Sequence, residues 1–166
     1  MTSEEKFIIP KPQGYNCFAC GTANPIGLNL NFYRSKDSVC SEITLGQYHV
    51  GWEKIAHGGI ISTILDEVMS WTILYFKRVF FLTRKMELKY IKPVLVGIPL
   101  KIKGRIMETA STDNRVKVRA EMRDNRGSLL AVSTAEFVLI GKEELSPVLE
   151  GSKKEIFALI EGLPNL

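Results

Sequence analysis

The sequence predicts a single α+β domain in which an antiparallel β-sheet wraps around a long central helix. Three observations support this fold class. The chain has 166 residues, which is enough for one domain with a sizeable core and too few for two ordinary ones. One long segment is apolar on nearly every side, as expected of a buried helix. Six further segments have strand-like patterns, and the short connections between the last of them favour antiparallel neighbours.

Proline and glycine recur along residues 1–27, so this part is predicted to be a turn-rich arm rather than a regular element. Strand signals begin after it. Leu28–Arg34 alternates apolar and polar residues, Ser35–Asp37 can turn the chain, and Ser38–Leu45 can return as the second arm of a hairpin. A loop, Gly46–Gly59, leads to the next element.

The segment from Gly59 to about Phe76 predicts the central helix, because apolar residues occupy nearly every side of it. These residues are Ile60, Ile61, Ile64, Leu65, Val68, Met69, Trp71, Ile73 and Leu74. A sheet of the expected size can curl around one such helix and bury it. Four strand-like runs separated by turn signals follow the helix: Phe81–Ile91, Leu100–Glu108, Arg115–Arg123 and Leu129–Ile140.

Near the end of the chain, four apolar residues have the spacing of a short amphipathic helix lying on the domain surface: Ile156, Leu159, Ile160 and Leu163. We therefore expect three regions. They are an N-terminal arm at 1–27, the sheet-and-helix domain at 28–145, and a C-terminal tail with a short helix at 146–166.

Composition is that of a soluble globular protein, with 45% apolar and 24% charged residues. The 22 Lys and Arg residues exceed the 18 Asp and Glu residues by too little to indicate nucleic acid, although a polyanionic ligand would fit. The N-terminus carries acids where a secretory signal needs basic residues. The most apolar run is interrupted by Asp66 and Glu67, which argues against membrane insertion. Three cysteines do not make a disulfide framework, so we expect a cytoplasmic protein.

The predicted helix is preceded by His57, Gly58 and Gly59. Two glycines at a loop-to-helix junction let the backbone approach a ligand closely, and the first N–H groups of a helix have no partner within the helix. With the helix dipole added, the N–H of Gly59 could polarise a carbonyl oxygen. The alternative is that Gly58 and Gly59 only form a tight entry turn.

An acidic pair, Asp66 and Glu67, lies inside the apolar helix. A buried charge is costly unless it is paired, solvated by a cleft or neutralised, so such a pair usually has a reason. Successive helical residues point about 100° apart, and at most one of the two is expected to face the core. The alternative is that one or both acids reach a polar rim or a subunit interface and pair with Lys or Arg.

Asp66 follows Gly59 by seven residues, a separation of roughly 10 Å along one helix. A single carbonyl group cannot touch both. If the Gly59 amide and the Asp66 carboxylate act on the same carbonyl, the acid is best supplied by an antiparallel helix of a second subunit. A twofold dimer provides this arrangement and yields two equivalent sites.

Three stretches together, "CFACGTANPIGLNLNF", "HVGWEKIAHGGIISTILDEVMSW" and "TRKMELKYIKPVLVGIPL", resemble the PaaI-like hotdog-fold acyl-CoA thioesterases over roughly Cys17 to Ile140. The resemblance implies a helix wrapped by an antiparallel sheet, assembly as a homodimer or a dimer of dimers, and cleavage of acyl-CoA thioesters. It further implies that the Gly59 amide polarises the thioester and that Asp66 acts from the neighbouring subunit. Glu67 is then the secondary acid.

Four other residues are candidates within this resemblance. His57 could donate a hydrogen bond near the carbonyl or simply fix the loop, and we favour the structural role. Thr83 resembles a position that lines the acyl site in relatives, or else is an ordinary β-branched strand residue. Asn24 and His49 lie in matched loops and could supply polar groups to the substrate.

Cys17 and Cys20 form a CxxC pair, which with His49 or His57 could suggest zinc. One CxxC without a second ligand pair is a weak signal, because structural zinc normally has four ligands. A redox function has no better support, since the strand-to-helix setting of such motifs is missing. We therefore expect no metal, and no cofactor other than the coenzyme A that belongs to the substrate.

Two late strands alternate apolar and basic residues, which predicts one apolar and one basic sheet face. Like charges on neighbouring strands are unfavourable unless acids intervene or an anion binds. This face, together with Lys89 and Lys92, is a candidate for binding coenzyme A phosphates. The alternative is that this face is simply solvated. The basic residues of the face are Lys101, Lys103, Arg105, Arg115, Lys117 and Arg119.

The sequence thus predicts hydrolysis of an acyl-CoA to a carboxylic acid and coenzyme A, with Asp66 as general base or as nucleophile. Two other functions stay open. One is a hotdog hydratase or dehydratase that uses His49 or His57 with Glu67. The other is a protein that binds acyl-CoA without catalysis.

Overall fold

A computed structural model describes residues 6–109, 114–141, 144 and 157–163, with the side chains of 108 and 109 excepted. It contains nine strands and one long helix in these described residues. In chain order they are β1 (Phe7–Ile9), β2 (Phe32–Ser35), β3 (Ser38–Thr44), β4 (Val50–Trp52), β5 (Ile55–Ala56), α1 (Gly58–Lys77), β6 (Phe80–Tyr90), β7 (Pro99–Thr109), β8 (Arg115–Asp124) and β9 (Leu129–Ile140).

Seven strands form one antiparallel sheet in the order β1-β2-β3-β7-β8-β9-β6. The sheet packs around α1, so the predicted fold class is confirmed. The expectation that short connections join antiparallel neighbours among the last strands is confirmed for β7, β8 and β9. Strand β6 pairs with β9, while β7 pairs with β3. The connection at 91–98 is long enough to cross the sheet, and it is held at one end by Leu130 O and at the other by Leu45 O.

Helix α1 begins one residue before the predicted start and ends one residue after the predicted end. It approaches β7 closely because Gly104 has no side chain: a Cβ there would lie 2.5 Å from Thr72 Oγ1. Arg78 adopts a left-handed conformation and donates its N–H to Leu74 O, which ends the helix. By length and composition alone α1 could cross a membrane, but in this fold most of its apolar residues are buried against the sheet.

The N-terminal region departs from the sequence-based expectation. Strand β1 pairs with β2, so residues 1–27 are not wholly irregular. The predicted strand Leu28–Arg34 is formed only from Phe32 onward. Leu28 and Leu30 are buried, but their N–H groups donate to Phe18 O and Ala19 O, which draws this backbone away from the sheet ladder and onto the arm.

The region expected to be a plain loop, Gly46–Gly59, also has structure of its own. It contains a short 3-10 turn at Gln47–His49 and the hairpin of β4 and β5. The exposed Trp52 side chain, 75% accessible, lies on this hairpin.

Residues 157–162 are helical, in agreement with the amphipathic pattern of the tail. Leu163 is buried, and Leu159 and Ile160 pack against the core. Arg78 Nη1 donates to Leu163 O at 2.7 Å, which ties the tail to the end of α1. Ile156, the first apolar residue of the predicted pattern, lies outside the described residues. The division of the chain at 27 and 145 stays a prediction.

Candidate active site

The start of α1 is capped by a histidine side chain. His57 is the N-cap residue, and its Nδ1 accepts the N–H of Gly59 at 2.9 Å. The N–H groups of Ile60 and Ile61 donate to His57 O at 3.0 and 3.2 Å. The Gly59 amide, predicted to polarise a carbonyl, is therefore already hydrogen-bonded in this structure. His57 is exposed, so its imidazole has room to turn away from the helix end.

Gly58 lies beside an apolar cavity, which has a volume of about 430 Å³. Tyr90 in β6 donates its hydroxyl hydrogen to Gly58 O at 2.8 Å and also lines the cavity. The lining is mostly aliphatic, with one cation, Lys92, at its edge. It consists of Ile55, Ala56, Gly58, Ile61, Tyr90, Ile91, Lys92, Pro93 and Val94.

Asp66 lies on the partly buried face of α1 that looks toward β6. Thr83 in β6 donates its hydroxyl hydrogen to Asp66 Oδ1 at 3.1 Å. Burial raises the pKa of Asp66 above its ordinary value, and the Thr83 hydrogen bond works against that shift. The structure thus brings these two predicted residues together. Asp66 does not line the cavity beside Gly58, in keeping with the helical separation of the two positions.

Glu67 is turned inward and is more deeply buried than Asp66. The indole N–H of Trp71, one helical turn later, donates to Glu67 Oε1 at 3.0 Å. Burial raises the pKa of Glu67 to about 7, with a smaller contribution from the nearby Cys17. Among the described residues neither acid forms an ion pair with Lys or Arg. The alternative that the pair serves a salt bridge within the chain is therefore not supported.

The side chains of Asn24 and His49 form hydrogen bonds to the backbone of their own loops. The Asn24 side chain donates to Asn16 O at 3.2 Å and accepts the N–H of Ile26 at 3.0 Å. His49 Nδ1 accepts the N–H of Gly46 at 3.0 Å, and His49 O accepts the N–H of His57 at 2.8 Å. Through this second bond His49 positions the residue that caps α1.

The outer sheet face is less basic than its two strands suggested, because acids from neighbouring positions intervene. Glu121 accepts from Arg119 at 3.1 Å and from Arg123 at 2.8 Å. Glu136 pairs with Arg84 and, at 3.7 Å, with Arg115. A cavity of about 200 Å³ remains on this face, and it is lined by Lys103, Arg105, Arg119 and Glu121.

Two features of the site had no usable signal in the sequence. Tyr90 is 32 residues from Gly58 and was the last residue but one of a predicted strand, with no feature that distinguished it. Cys17 Sγ lies 3.9 Å from Glu67 Oε1 across 50 residues of chain. Contacts between residues so far apart in the chain depend on how the N-terminal arm folds back onto α1. The residue pattern of a single segment carries no information about that path.

A family model described as thioesterase superfamily matches residues 53–131, which include the start of α1 and both acids. A comparison with curated protein sequences gives no match. Strands β6, β7 and β8 and the first residues of β9 fall in the matched region as well.

Solved structures share the fold at low sequence identity. A thioesterase superfamily protein superposes with a TM-score of 0.69 at 20% identity, over 74% of this chain and 60% of its own length. This chain therefore spans less than two thirds of that protein. A hypothetical thioesterase from Streptococcus pneumoniae TIGR4, solved with coenzyme A, gives 0.63 at 17% identity over 68% and 87% of the two chains. PaaI of E. coli, from the phenylacetic acid degradation operon, gives 0.62 at 11% identity over 69% and 81%.

The family match and the structural likeness confirm the resemblance that the sequence motifs indicated. The fold is that of the hotdog thioesterases, with one long helix inside a curved antiparallel sheet.

Proposed function

We propose, on the premise that residues 53–131 match the thioesterase superfamily within a hotdog fold, that this chain is an acyl-CoA thioesterase. The observation that carries the proposal is the setting of Asp66. It is a partly buried carboxylate with no cation bound to it among the described residues, held by one hydroxyl and located on the helix whose start borders an apolar cavity.

Asp66 supplies the base or the nucleophile. As a base, its carboxylate takes a proton from water while the water oxygen attacks the thioester carbon; the C–S bond then breaks, and the thiolate of coenzyme A leaves and takes up a proton. As a nucleophile, the carboxylate attacks the thioester carbon and displaces the thiolate of coenzyme A, which takes up a proton; water then hydrolyses the resulting anhydride, which releases the carboxylic acid and restores Asp66. Burial brings the pKa of Asp66 closer to the pH at which the enzyme works, which suits a group that accepts and returns a proton.

The amides at the start of α1 stabilise the oxyanion that forms on the thioester carbonyl. For Gly59 to take part, the carbonyl oxygen replaces His57 Nδ1 as the acceptor of its N–H. The exposure of His57 supports such an exchange, because turning the imidazole away disturbs no buried contact. Gly58, whose N–H has no partner among the described residues, is the second candidate donor.

The apolar cavity beside Gly58 has the size and lining for an acyl chain or for the pantetheine arm of coenzyme A. Lys92 at its edge and Lys89 on β6 are our candidates for the phosphates. A structural neighbour solved with coenzyme A supports this class of ligand. We expect the enzyme to be soluble and cytoplasmic, with neither nucleic acid nor a membrane as a partner.

The site is shared between two subunits of a homodimer, or of a dimer of dimers. Strand β6 lies at one end of the sheet and, among the strands of the described residues, pairs with β9 alone, so that its other edge is available to a partner. Asp66 is hydrogen-bonded to this same strand through Thr83. A partner added across the β6 edge would lay its own α1 beside this one, so that the Gly59 of one chain and the Asp66 of the other reach one carbonyl.

A panel of acyl-CoA esters, assayed for release of free thiol by the metal-free protein, tests the proposed activity. We expect hydrolysis of at least one medium-chain or aryl acyl-CoA. Addition of water to an enoyl-CoA without thiol release would replace the proposal with the hydratase function. Tight acyl-CoA binding without turnover of any member would replace it with a binding protein.

A further inference from the structure

Two cysteines of the N-terminal region and one acid of the central helix meet at a single point. The sulfur atoms of Cys17 and Cys20 and a carboxylate oxygen of Glu67 all lie within 4.8 Å of one another. Neither His49 nor His57, the partners that the sequence suggested for this CxxC pair, belongs to the group. Both cysteines are free thiols.

Backbone hydrogen bonds of the CxxC loop position the sulfur atom of Cys17. The N–H of Cys20 donates to Cys17 Sγ at 3.5 Å, and the N–H of Gly21 donates to Cys17 O at 2.9 Å. A Cβ on Gly21 would lie 2.5 Å from Cys17 O, so this turn requires glycine.

Glu67 approaches the two sulfur atoms from the helix. Its carboxylate is fixed by the Trp71 indole, which donates to Oε1 at 3.0 Å, and that oxygen is 3.9 Å from Cys17 Sγ. Among the described residues no Lys or Arg side chain pairs with the carboxylate. Three groups that can each carry a negative charge thus converge in a largely buried place, where they must either stay protonated or bind a cation.

We propose that Cys17, Cys20 and Glu67 bind one zinc ion and so fasten the N-terminal region to the central helix. Two thiolates with a carboxylate suit zinc better than magnesium or calcium, which prefer oxygen alone. Bond lengths of about 2.3 Å to sulfur and about 2.0 Å to oxygen place tetrahedral ligands roughly 3.5 to 3.8 Å apart. The observed 3.9 Å between Cys17 Sγ and Glu67 Oε1 is near this spacing. Water completes the fourth position.

The surroundings balance the charge of such a site and orient its ligands. Lys11 Nζ donates to Cys20 O at 2.9 Å and to Leu30 O at 2.7 Å, which places an ammonium group next to the cluster. A divalent ion and this ammonium group together neutralise three deprotonated ligands. Tyr15 donates its hydroxyl hydrogen to the cluster, with its oxygen 2.8 Å from Cys20 O and 3.1 Å from Cys20 Sγ. Hydrogen bonds of this kind, with the Trp71 bond to Glu67, hold metal ligands in place.

The competing use of a CxxC pair is a reversible disulfide. A disulfide would involve the two sulfur atoms and give no role to Glu67, whereas a zinc site needs the carboxylate as a third ligand. The effect of replacing Glu67 therefore separates the two. This zinc site goes beyond the proposed thioesterase activity, and the chemistry at Asp66 does not depend on it.

The test uses the full chain, reduced and stripped of metal, and titrates it with Co²⁺ as a spectroscopic probe and with Zn²⁺. We expect one equivalent of metal, thiolate-to-cobalt charge-transfer absorption, and a higher melting temperature with Zn²⁺. Cys17→Ser and Cys20→Ser should lose the charge-transfer band. Glu67→Gln should weaken binding at least about tenfold. Cys40→Ser is the matched control, because Cys40 is buried in β3 outside the cluster, and it should bind as the unaltered chain does.

Absence of the cobalt band in the reduced unaltered chain would overturn the proposal, and that result does not depend on any variant folding. Equal metal affinity of the unaltered chain and Glu67→Gln would also overturn it. So would a Cys17–Cys20 disulfide forming in air while the reduced protein binds no metal. Circular dichroism of each variant checks that lost binding is not lost folding, and thiol release at Asp66 is assayed separately.

Discussion

At the scale of single residues, the helix gives two adjacent acids very different surroundings. Asp66 faces β6 and is held by a hydroxyl group, while Glu67 faces the arm and lies beside two thiols. Their directions differ because successive helical residues point about 100° apart. The sequence predicted this divergence. It did not predict what Glu67 would meet, since Cys17 comes from a loop 50 residues away.

The first prediction concerns the charge of Asp66. Burial raises its folded pKa above the ordinary 3.8, so the folded protein holds this proton more tightly than the unfolded chain does. The group's contribution to stability is full below the unfolded pKa and is lost as pH rises through the raised folded pKa. Asp66→Asn should therefore melt at an equal or higher temperature than the unaltered chain at pH 7 to 8, with the difference vanishing near about pH 4.

Glu121→Gln is the control of opposite sign for this measurement. Hydrogen bonds from Arg123 and Arg119 lower the pKa of Glu121, so its stabilising contribution is present above the unfolded pKa and is lost as pH falls. Glu121→Gln should therefore be less stable than the unaltered chain at neutral pH. A melting temperature of Asp66→Asn that lies well below that of the unaltered chain at pH 8, but not at pH 4, would refute the assigned shift.

The second prediction concerns His57. Its imidazole caps α1 through the Gly59 N–H, so His57→Ala should cost about 1 kcal/mol of stability. If the thioester carbonyl replaces this imidazole during catalysis, kcat/KM should stay within a few-fold of the unaltered enzyme. His57→Asn keeps a capping group and should recover the stability. A loss of activity of about 100-fold in both variants, with the fold intact, would instead make His57 a catalytic residue.

At the scale of elements, local pattern predicted the strands and helix but not all of their neighbours. The alternation of apolar and polar residues predicted β7 to β9, and a run of apolar residues predicted α1. Both patterns can be recognised because each lies within one segment of the chain. Strand β1 has only three residues, too few for an alternation to stand out. The pairing of β6 with β9 depends on the long connection after Tyr90, and its path follows from contacts with other loops.

The third prediction tests the close packing of α1 on β7. Gly104→Ala would bring a Cβ to 2.5 Å from Thr72 Oγ1 and 3.0 Å from Val68 Cγ1, so helix and sheet would have to move apart. We expect a loss of about 1 to 3 kcal/mol of unfolding free energy in urea. Gly46→Ala is the control, because nothing lies within 4 Å of a Cβ there. Equal stability of the two variants would show that this contact does not hold the helix.

At the scale of the whole molecule, the central claim is that one catalytic site needs two chains. Gly59 and Asp66 lie seven residues apart on α1, roughly 10 Å along its axis, and Asp66 does not line the cavity beside Gly58. The open edge of β6 offers the place where a twofold partner would bring the missing group. The seven-residue spacing could be read from the sequence. The hydrogen bond that the Gly59 N–H already makes to His57, and the one between Thr83 and Asp66, could be found only in the structure.

Subunit mixing tests this claim most directly. Gly59→Pro removes the amide hydrogen, and Asp66→Asn removes the carboxylate charge while keeping its shape. Each variant alone should release thiol from the preferred acyl-CoA at least about 100-fold more slowly than the unaltered enzyme, with folding verified by circular dichroism. After random exchange, half of the dimers are mixed and each holds one intact site, so the mixture should recover up to about a quarter of the full activity. Full activity of Asp66→Asn alone, or a mixture that stays inactive after verified exchange, would contradict the shared site.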